Sequence, residues 1–269
     1  MTRRIASPDN PTIKRFRALA NDARKRSAEG RTVIEGEHLV RAWLDHGMAP
    51  ELCLVDEDRA ISADLRTCID RLQIAGTEII TVPSRLLKLT GTIDSPAPMV
   101  GIVACRAGSP VACQGKDCVI LDAVQDPGNV GTIMRTAAAA GVGHVILGPG
   151  TASAWSPKVL RAAMGAHPVL NIVEGCAIAE LAGRLGVPLL GTDGHASAVV
   201  HDIELSQSVA WVFGNEGQGL SETVRQSVSQ FVAIPQIDTV ESLNVASAAA
   251  ICLFEMRRQR RAPSHMSPN

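Results

Sequence analysis

The chain contains few aromatic residues. Four of its 269 residues are Phe, three are Trp and none is Tyr. Proteins that hold single-stranded nucleic acid by stacking present several aromatic rings to the bases. The composition therefore argues against a stacking platform. If the partner is RNA, we expect phosphate contacts and shape to carry the binding.

Long apolar runs and paired metal ligands are also missing. No run reaches the roughly 18 apolar residues of a membrane-spanning helix, and no apolar stretch typical of a signal peptide follows the charged N-terminus. The seven cysteines include no Cys-x-x-Cys pair, which favours reduced cysteines over a disulfide framework or a zinc site. We expect a cytoplasmic protein with no metal and no membrane contact.

Basic residues are concentrated at the two ends, although the formal net charge is only −1. Residues 1–41 hold ten of the 26 Lys and Arg against five acids, and four arginines form RRQRR at 257–261. This distribution suggests an anionic partner that is touched in patches. A solvated helix end with favourable charges explains the C-terminal cluster nearly as well.

Apolar runs alternate with helical stretches in both halves of the chain. Residues 1–30 are predicted to form a basic helix. The strand candidates are TVIEG, ELCLV, EIITV and MVGIVAC in the first half, and CVILDAV, HVILG, VPLLGT, VAWVFG and FVAIP in the second. Continuous apolar strands between helices predict an α/β fold with a parallel sheet. The predicted domains are 1–105 and 118–262, with a linker at 106–117 and a tail at 263–269.

Three loops with glycine or small polar residues follow strands of the second half: DPGNVGTIMR, GNEGQGLS and PQIDTVESLN. Ligands of parallel α/β sheets bind at the carboxyl ends of the strands, so we expect a site there. The loops contain neither a Walker sequence nor a Gly-x-Gly-x-x-Gly fingerprint. The chain also has no His-Glu-x-x-His zinc motif and no Gly-x-Ser-x-Gly nucleophile elbow.

The same loops carry a family resemblance. NVGTIMR, FGNEGQGLS and IPQIDTVESLNVASAAA, in this order, are similar to the three motifs of the SpoU (TrmH) family of RNA 2′-O-ribose methyltransferases, part of the SPOUT superfamily. The front half, with Ser-x-x-Asn, a basic helix, Arg26 and VIEGEHLV, resembles that family's L30e-like substrate-binding domain. The similarity runs from about residue 5 to 256.

The resemblance implies a deep trefoil knot in the C-terminal domain, S-adenosylmethionine as cofactor and a homodimer whose active site uses groups from both subunits. It also implies a structured RNA as substrate, with 23S ribosomal RNA first and transfer RNA as the alternative; no DNA partner is expected. A non-catalytic RNA-binding or ribosome-assembly protein remains an open reading. A different nucleotide-using enzyme is disfavoured because the phosphate fingerprints are missing.

The resemblance also assigns a cofactor pocket. Gly214, Ile234 and Leu243 would line it, largely through backbone groups, and Thr192 in LGTDGHA would belong to its first loop. Adenine requires an apolar slot with a few backbone donors and acceptors. Gly214 would permit close approach of the backbone, while the two aliphatic side chains would supply the walls.

Arg135 is the principal catalytic candidate. Family accounts give the matching arginine a catalytic role, even that of base. A guanidinium stays protonated in nearly every setting, so gripping a phosphate and orienting the ribose is the simpler expectation. The sequence places Arg135 where a helix opens, at its positive end, and that unfavourable position for a cation points to function.

Four further polar residues are predicted in the site: Asn129, Glu216, Ser242 and Asn244. Each also has a plain structural reading. Asn129 is expected to cap the helix after VILDAV, Glu216 lies near a helix start, and Ser242 and Asn244 precede the last long helix and are candidate caps. The sequence departs from the usual family pattern within 236–241, so the shape of that loop and the choice of substrate are expected to differ.

Overall fold

The computed structural model describes residues 3–91, 97–237 and 242–261. The chain forms two compact units. The first comprises Met1–Arg106 with Trp155–Pro168, and the second comprises Ala107–Ala154 with Val169–Asn269. No sequence pattern predicted that a segment beyond residue 150 joins the first unit. The predicted tail and residues 238–241 of the predicted loop lie outside the described residues.

The first unit is built on a five-stranded sheet in the order β1-β4-β3-β5-β2. Strands β1, β4 and β3 are parallel, whereas β5 pairs antiparallel with both β3 and β2. The strands are β1 Arg3–Arg4, β2 Arg31–Glu35, β3 Leu52–Asp56, β4 Glu78–Val82 and β5 Met99–Ala104. Thus all four strands predicted in this half are present.

The predicted basic helix over 1–30 is wrong in its extent, because two helices occupy this region. They are α1 Pro11–Asn21 and α2 Ala23–Glu29. Asn10 caps α1 by accepting a hydrogen bond from the Thr12 N–H at 2.9 Å. Asp22 adopts an extended conformation and caps α2 through the Arg24 N–H at 2.8 Å. A capping aspartate in mid-pattern therefore divides the helix.

The described residues of the first unit form four further helices. They are α3 Glu37–Asp45, α4 Ala63–Ile74, α5 Ser84–Thr90 and, from the later segment, α7 Pro157–Ala162. The later segment is held by the Thr32 hydroxyl, which donates to the Trp155 carbonyl at 2.8 Å. The ring of His167 also lies 5.1 Å from that of Trp155 and 6.0 Å from that of Trp43.

The second unit contains a seven-stranded, all-parallel sheet in the order β10-β12-β9-β11-β6-β7-β8. Its strands are β6 Cys118–Leu121, β7 His144–Leu147, β8 Asn171–Glu174, β9 Leu189–Thr192, β10 Ala198–Val199, β11 Ala210–Phe213 and β12 Gln230–Ala233. Its helices are α6 Pro127–Ala140, α8 Ile178–Leu185, α9 Glu222–Arg225 and α10 Val245–Arg260. The predicted parallel α/β sheet is confirmed. The knot implied by the resemblance stays a prediction.

The C-terminal arginine cluster is used largely within the fold. Arg258 makes a two-pronged ion pair with Glu255, Arg260 pairs with Asp117, and Arg257 donates to the Ala140 carbonyl at 3.1 Å. These three side chains therefore have partners within the fold, and the patch for an anionic partner expected at RRQRR stays a prediction. No described helix is long and apolar enough to cross a membrane.

Candidate active site

Three neighbouring strands end at one edge of the second unit's sheet. β12, β9 and β11 are adjacent and parallel, so the segments that follow Thr192, Phe213 and Ala233 emerge at the same edge. The sheet therefore gathers three chain segments that are far apart in the sequence. Two of the three predicted loops are among them.

A cavity of about 680 Å³ lies at this edge. Three of the predicted cofactor residues line it, namely Thr192, Ile234 and Leu243, together with Glu216 and Ser242. A second cavity of about 310 Å³ shares four of these residues and adds Gly214 and Asn244. Seven of the nine residues predicted from the sequence thus line these two cavities.

The loop after β11 is held rigidly by its own backbone. Asn215 and Gly219 exchange two backbone hydrogen bonds of 2.9 Å, and the Asn215 Oδ1 accepts from the N–H groups of Gly217 and Gln218. A Cβ on Gly214 would lie 2.4 Å from the Gly219 carbonyl carbon. Glycine is therefore required at 214 by the close approach of the Gly219 and Leu220 backbone, whereas the predicted approach of Gly214 to a cofactor stays a prediction.

Two residues that support this loop were missed by sequence reasoning. The Asn215 Nδ2 donates to the Ala123 carbonyl at 2.9 Å. Asp122, which is only 5% exposed, accepts from the Ser221 N–H at 2.7 Å. Asp122 could have been found from the sequence, since it directly follows the apolar run VIL. An acid at the end of a buried strand needs hydrogen-bond partners, which indicates a structural role.

A chain of three polar side chains runs beside the smaller cavity. The Asn129 Nδ2 donates to Glu216 Oε1 at 2.9 Å, and the Asn244 Nδ2 donates to Asn129 Oδ1 at 3.0 Å. The Asn244 Oδ1 in turn accepts from the Ala246 and Ser247 N–H groups. Backbone donors at one end and a carboxylate at the other fix both amide orientations. Asn129 and Glu216 consequently sit in one defined geometry.

The helix caps differ in part from the expectation. Asn244 caps α10, as predicted. The cap of α6 is Asp126, whose Oδ1 accepts from the Asn129 N–H at 2.8 Å. The prediction that Asn129 caps this helix is wrong: it is the third helical residue, so its side chain is available to Glu216 and Asn244.

Arg135 is placed differently from the expectation. It is the ninth residue of α6 rather than a residue of its first turn, so the argument from an unfavourable helix dipole is wrong. The side chain is exposed, and among the described residues it has no hydrogen-bond or ion-pair partner. It lines neither cavity. Arg135 lies six positions after Asn129 in this helix, or about 9 Å further along its axis.

The larger cavity fits a nucleoside-sized ligand. Its volume lies within the roughly 300–1,000 Å³ of small-molecule sites. Val232, Ile234 and Leu243 give it apolar surface, while Thr192 and Asp193 add polar groups. These are features that a bound S-adenosylmethionine requires, since the faces of its adenine ring pack against apolar surface and its ribose and amino acid parts are polar.

Two family descriptions match the chain. They are the SpoU rRNA Methylase family over residues 117–254 and the MRM3-like substrate binding domain over residues 10–101. The 23S rRNA (guanosine(2553)-2′-O)-methyltransferase RlmP of Bacillus subtilis is 33% identical over 259 residues, covering 95% of this chain and 99% of that protein. This chain belongs to the SpoU rRNA methylase family.

Solved structures agree with this family assignment. An AdoMet-bound rRNA methyltransferase from Sinorhizobium meliloti is 28% identical with a TM-score of 0.85, covering 97% of this chain and 99% of that one. The SpoU methyltransferase AviRb from Streptomyces viridochromogenes, in complex with the cofactor AdoMet, is 28% identical with a TM-score of 0.84, covering 93% and 98%. The family, the α/β fold and the methyltransferase class predicted from the sequence are confirmed.

Proposed function

We propose that this SpoU-family protein transfers a methyl group from S-adenosylmethionine to a ribose 2′-hydroxyl of 23S ribosomal RNA. The observation that carries the proposal is the cavity of about 680 Å³, because residues from two separate family motifs and from the loop after β9 meet in its walls. Ribosomal RNA is favoured over transfer RNA since the Bacillus subtilis relative, which matches nearly the whole chain, is named for 23S rRNA.

The cofactor is held by Thr192, Gly214, Ile234 and Leu243 in this proposal. When bound, S-adenosylmethionine supplies a methyl group on a positively charged sulfur, which a hydroxyl oxygen can attack. Ile234 and Leu243 exclude water from the apolar part of the ligand. Gly214 has no side chain, so the backbone N–H and C=O groups of its loop can contact polar groups of the ligand.

The polar chain of Glu216, Asn129 and Asn244 positions the target ribose. Asn129 is fixed by hydrogen bonds on both sides, so its approach to a ribose involves little rearrangement. Ser242 lines both cavities and offers a hydroxyl beside this chain. These four residues orient the 2′-hydroxyl toward the methyl group, and Glu216 holds the Asn129 amide by accepting its hydrogen bond.

Arg135 binds an RNA phosphate and does not act as the base that deprotonates the 2′-hydroxyl. A guanidinium keeps its proton and forms two-pronged hydrogen bonds with phosphate. Because Arg135 does not line the cavity of its own chain, we also propose a homodimer in which a second copy brings this side chain to the site. The first unit would bind RNA, and a ribosomal substrate implies a cytoplasmic location.

Methylation of total RNA with methyl-labelled S-adenosylmethionine tests the function. The wild type should label 23S rRNA, and nuclease digestion with mass spectrometry should recover a 2′-O-methyl nucleoside. Arg135→Ala should lose this activity by about 100-fold or more. Arg184→Ala is the matched control, since Arg184 is another exposed helical arginine of the same unit. Label in transfer RNA or on a base overturns the proposal, and no label supports a non-catalytic RNA-binding protein.

A further inference from the structure

The loop after β9 presents an acid to the larger cavity. Asp193 directly follows Thr192, the last residue of the strand, and lines the cavity. Its backbone is fixed on both sides: the Asp193 N–H donates to the Val232 carbonyl at 3.1 Å, and its carbonyl accepts from the Ala196 N–H at 3.2 Å. The motifs that indicated the family did not include this residue.

The carboxylate of Asp193 is fixed as firmly as its backbone. Oδ1 accepts from the His195 N–H at 3.0 Å, and Oδ2 accepts from Arg225 Nη2 at 3.1 Å. Arg225 is itself held, because its guanidinium carbon lies 4.5 Å from the centre of the Phe231 ring. The hydrogen bond from His195, supported by Arg225, lowers the pKa of Asp193. The group is therefore an ionised acceptor.

A fixed, ionised carboxylate at this position has unused acceptor capacity. Two oxygens provide about four lone-pair sites, and the hydrogen bonds from His195 and Arg225 use two of them. The side chain keeps 23% of its surface exposed. The other acid in the described lining, Glu216, is engaged by Asn129. Asp193 is thus an ionised acid whose unused lone pairs a ligand in this cavity can reach.

We propose that Asp193 accepts hydrogen bonds from the ribose hydroxyls of the bound S-adenosylmethionine and so selects ligands with an intact ribose. The inference rests on the proposed function. Two adjacent hydroxyls are donors that suit one carboxylate, and an acid at a strand end binds ribose hydroxyls in dinucleotide folds for the same reason. Arg225 acts as a positioning residue, because it orients the carboxylate while its own charge is satisfied.

A ligand–protein double-mutant cycle tests this assignment by calorimetry. The ligands are S-adenosylhomocysteine and its 2′-deoxy and 3′-deoxy forms, and the proteins are the wild type and Asp193→Ala. Removing a hydroxyl should weaken binding to the wild type by about 10-fold or more, and Asp193→Ala should weaken binding of the intact ligand by a similar factor. The variant should then show no further loss with at least one deoxy ligand, because the contact is already missing.

Binding measurements with a further ligand and a further variant distinguish a contact with the ribose from other roles of Asp193. 5′-Methylthioadenosine lacks the amino acid part, so the ribose coupling should persist in it; a loss caused by Asp193→Ala that disappears with this ligand would show a contact with the ligand's ammonium group instead. Arg225→Met keeps a long side chain over Phe231 but cannot donate to the Asp193 carboxylate, so discrimination against the deoxy ligands should weaken; unchanged discrimination would show that Arg225 does not position Asp193. Equal losses for intact and deoxy ligands in Asp193→Ala overturn the proposal. Failure of the wild type to bind any of them contradicts the proposed function itself.

Discussion

Asn129 and Asn244 lie 115 residues apart in the sequence and are joined by a hydrogen bond of 3.0 Å from the Asn244 Nδ2 to the Asn129 Oδ1. The bond links the first turn of α6 to the cap of α10. The backbone donors of α10 fix the orientation of the Asn244 amide. That amide in turn fixes Asn129, which donates to Glu216. The Asn244 side chain therefore both caps α10 and belongs to the polar chain of Glu216, Asn129 and Asn244.

Substitution of Asn129 should impair methyl transfer more than cofactor binding. Asn129→Ala removes the link between Glu216 and Asn244, and we expect kcat to fall by about 100-fold because the ribose is no longer positioned. Cofactor affinity by calorimetry should stay within about threefold, since Asn129 lines neither cavity. Asn21→Ala is the matched control, an exposed asparagine whose amide donates to the Arg17 carbonyl. Equal loss of affinity and turnover would contradict a positioning role.

Gly214→Ala should abolish cofactor binding and lower stability. The added Cβ would lie within 2.6 Å of backbone atoms of Gly219 and Leu220, and relief of that overlap must distort the loop. We expect the free energy of unfolding to fall by about 1–3 kcal/mol. Gly183→Ala is the control, because nothing lies within 4 Å of a Cβ there and the helix α8 should gain roughly 0.5–1 kcal/mol. Urea denaturation of both variants measures the difference, and a stable Gly214→Ala that binds cofactor would contradict the account.

Arg260 should contribute to stability, unlike its neighbour Arg261. It pairs with Asp117 at 2.5 Å and donates to the Leu205 carbonyl at 2.6 Å and to the Gln207 carbonyl. Arg260→Ala should lower the free energy of unfolding by about 2 kcal/mol. Arg261→Ala should change it by no more than about 0.5 kcal/mol. Thermal or urea denaturation checks this order, and equal effects would mean that the pair with Asp117 is dispensable.

We expect Glu255 to stabilise the fold by an amount that is lost in acid. Hydrogen bonds from Arg258, and then from Gln259, lower the pKa of Glu255 to about 2, whereas an unfolded glutamate titrates near ~4.3. The carboxylate therefore stabilises the fold fully above about pH 4.3, and this contribution is lost as the pH falls toward 2.

Glu255→Gln removes this titration, so its deficit against the wild type should shrink as the pH falls below about 4.3. Urea denaturation at several pH values measures the deficit. Glu180→Gln, at an exposed position of α8, should show no such trend. A deficit for Glu255→Gln that grows on acidification would have the wrong sign for the assigned ion pair.

The strands and the edge that carries the site were predictable because their signals are local. The runs VIL at 119–121 and VAWVF at 209–213 are continuous apolar segments, and they lie in β6 and β11. The strand NIVE at 171–174 was missed because only two apolar residues stand between polar ends. Asp22 shows the same limit, since a capping aspartate that divides a helix differs little in sequence from a surface residue.

The contacts between residues of the site could not be predicted from the sequence. The motifs named Asn129, Glu216 and Asn244, but no local pattern fixes which amide donates to which oxygen. Arg135 was assigned to a helix start, whereas the cap Asp126 begins the helix nine positions earlier. The membership of Trp155–Pro168 in the first unit depends on tertiary contacts such as that between Thr32 and Trp155.

Calorimetric titration of S-adenosylmethionine into the purified protein tests the central claim most directly. Leu243 is 36% exposed in the lining of both cavities, so Leu243→Arg should fill the site and add a cation against a cationic ligand. Val111→Arg, at a position 70% exposed and away from the cavities, is the control. The account predicts binding by the wild type and by Val111→Arg, and none by Leu243→Arg. Binding that survives Leu243→Arg, or no binding by the wild type with or without RNA, would contradict it.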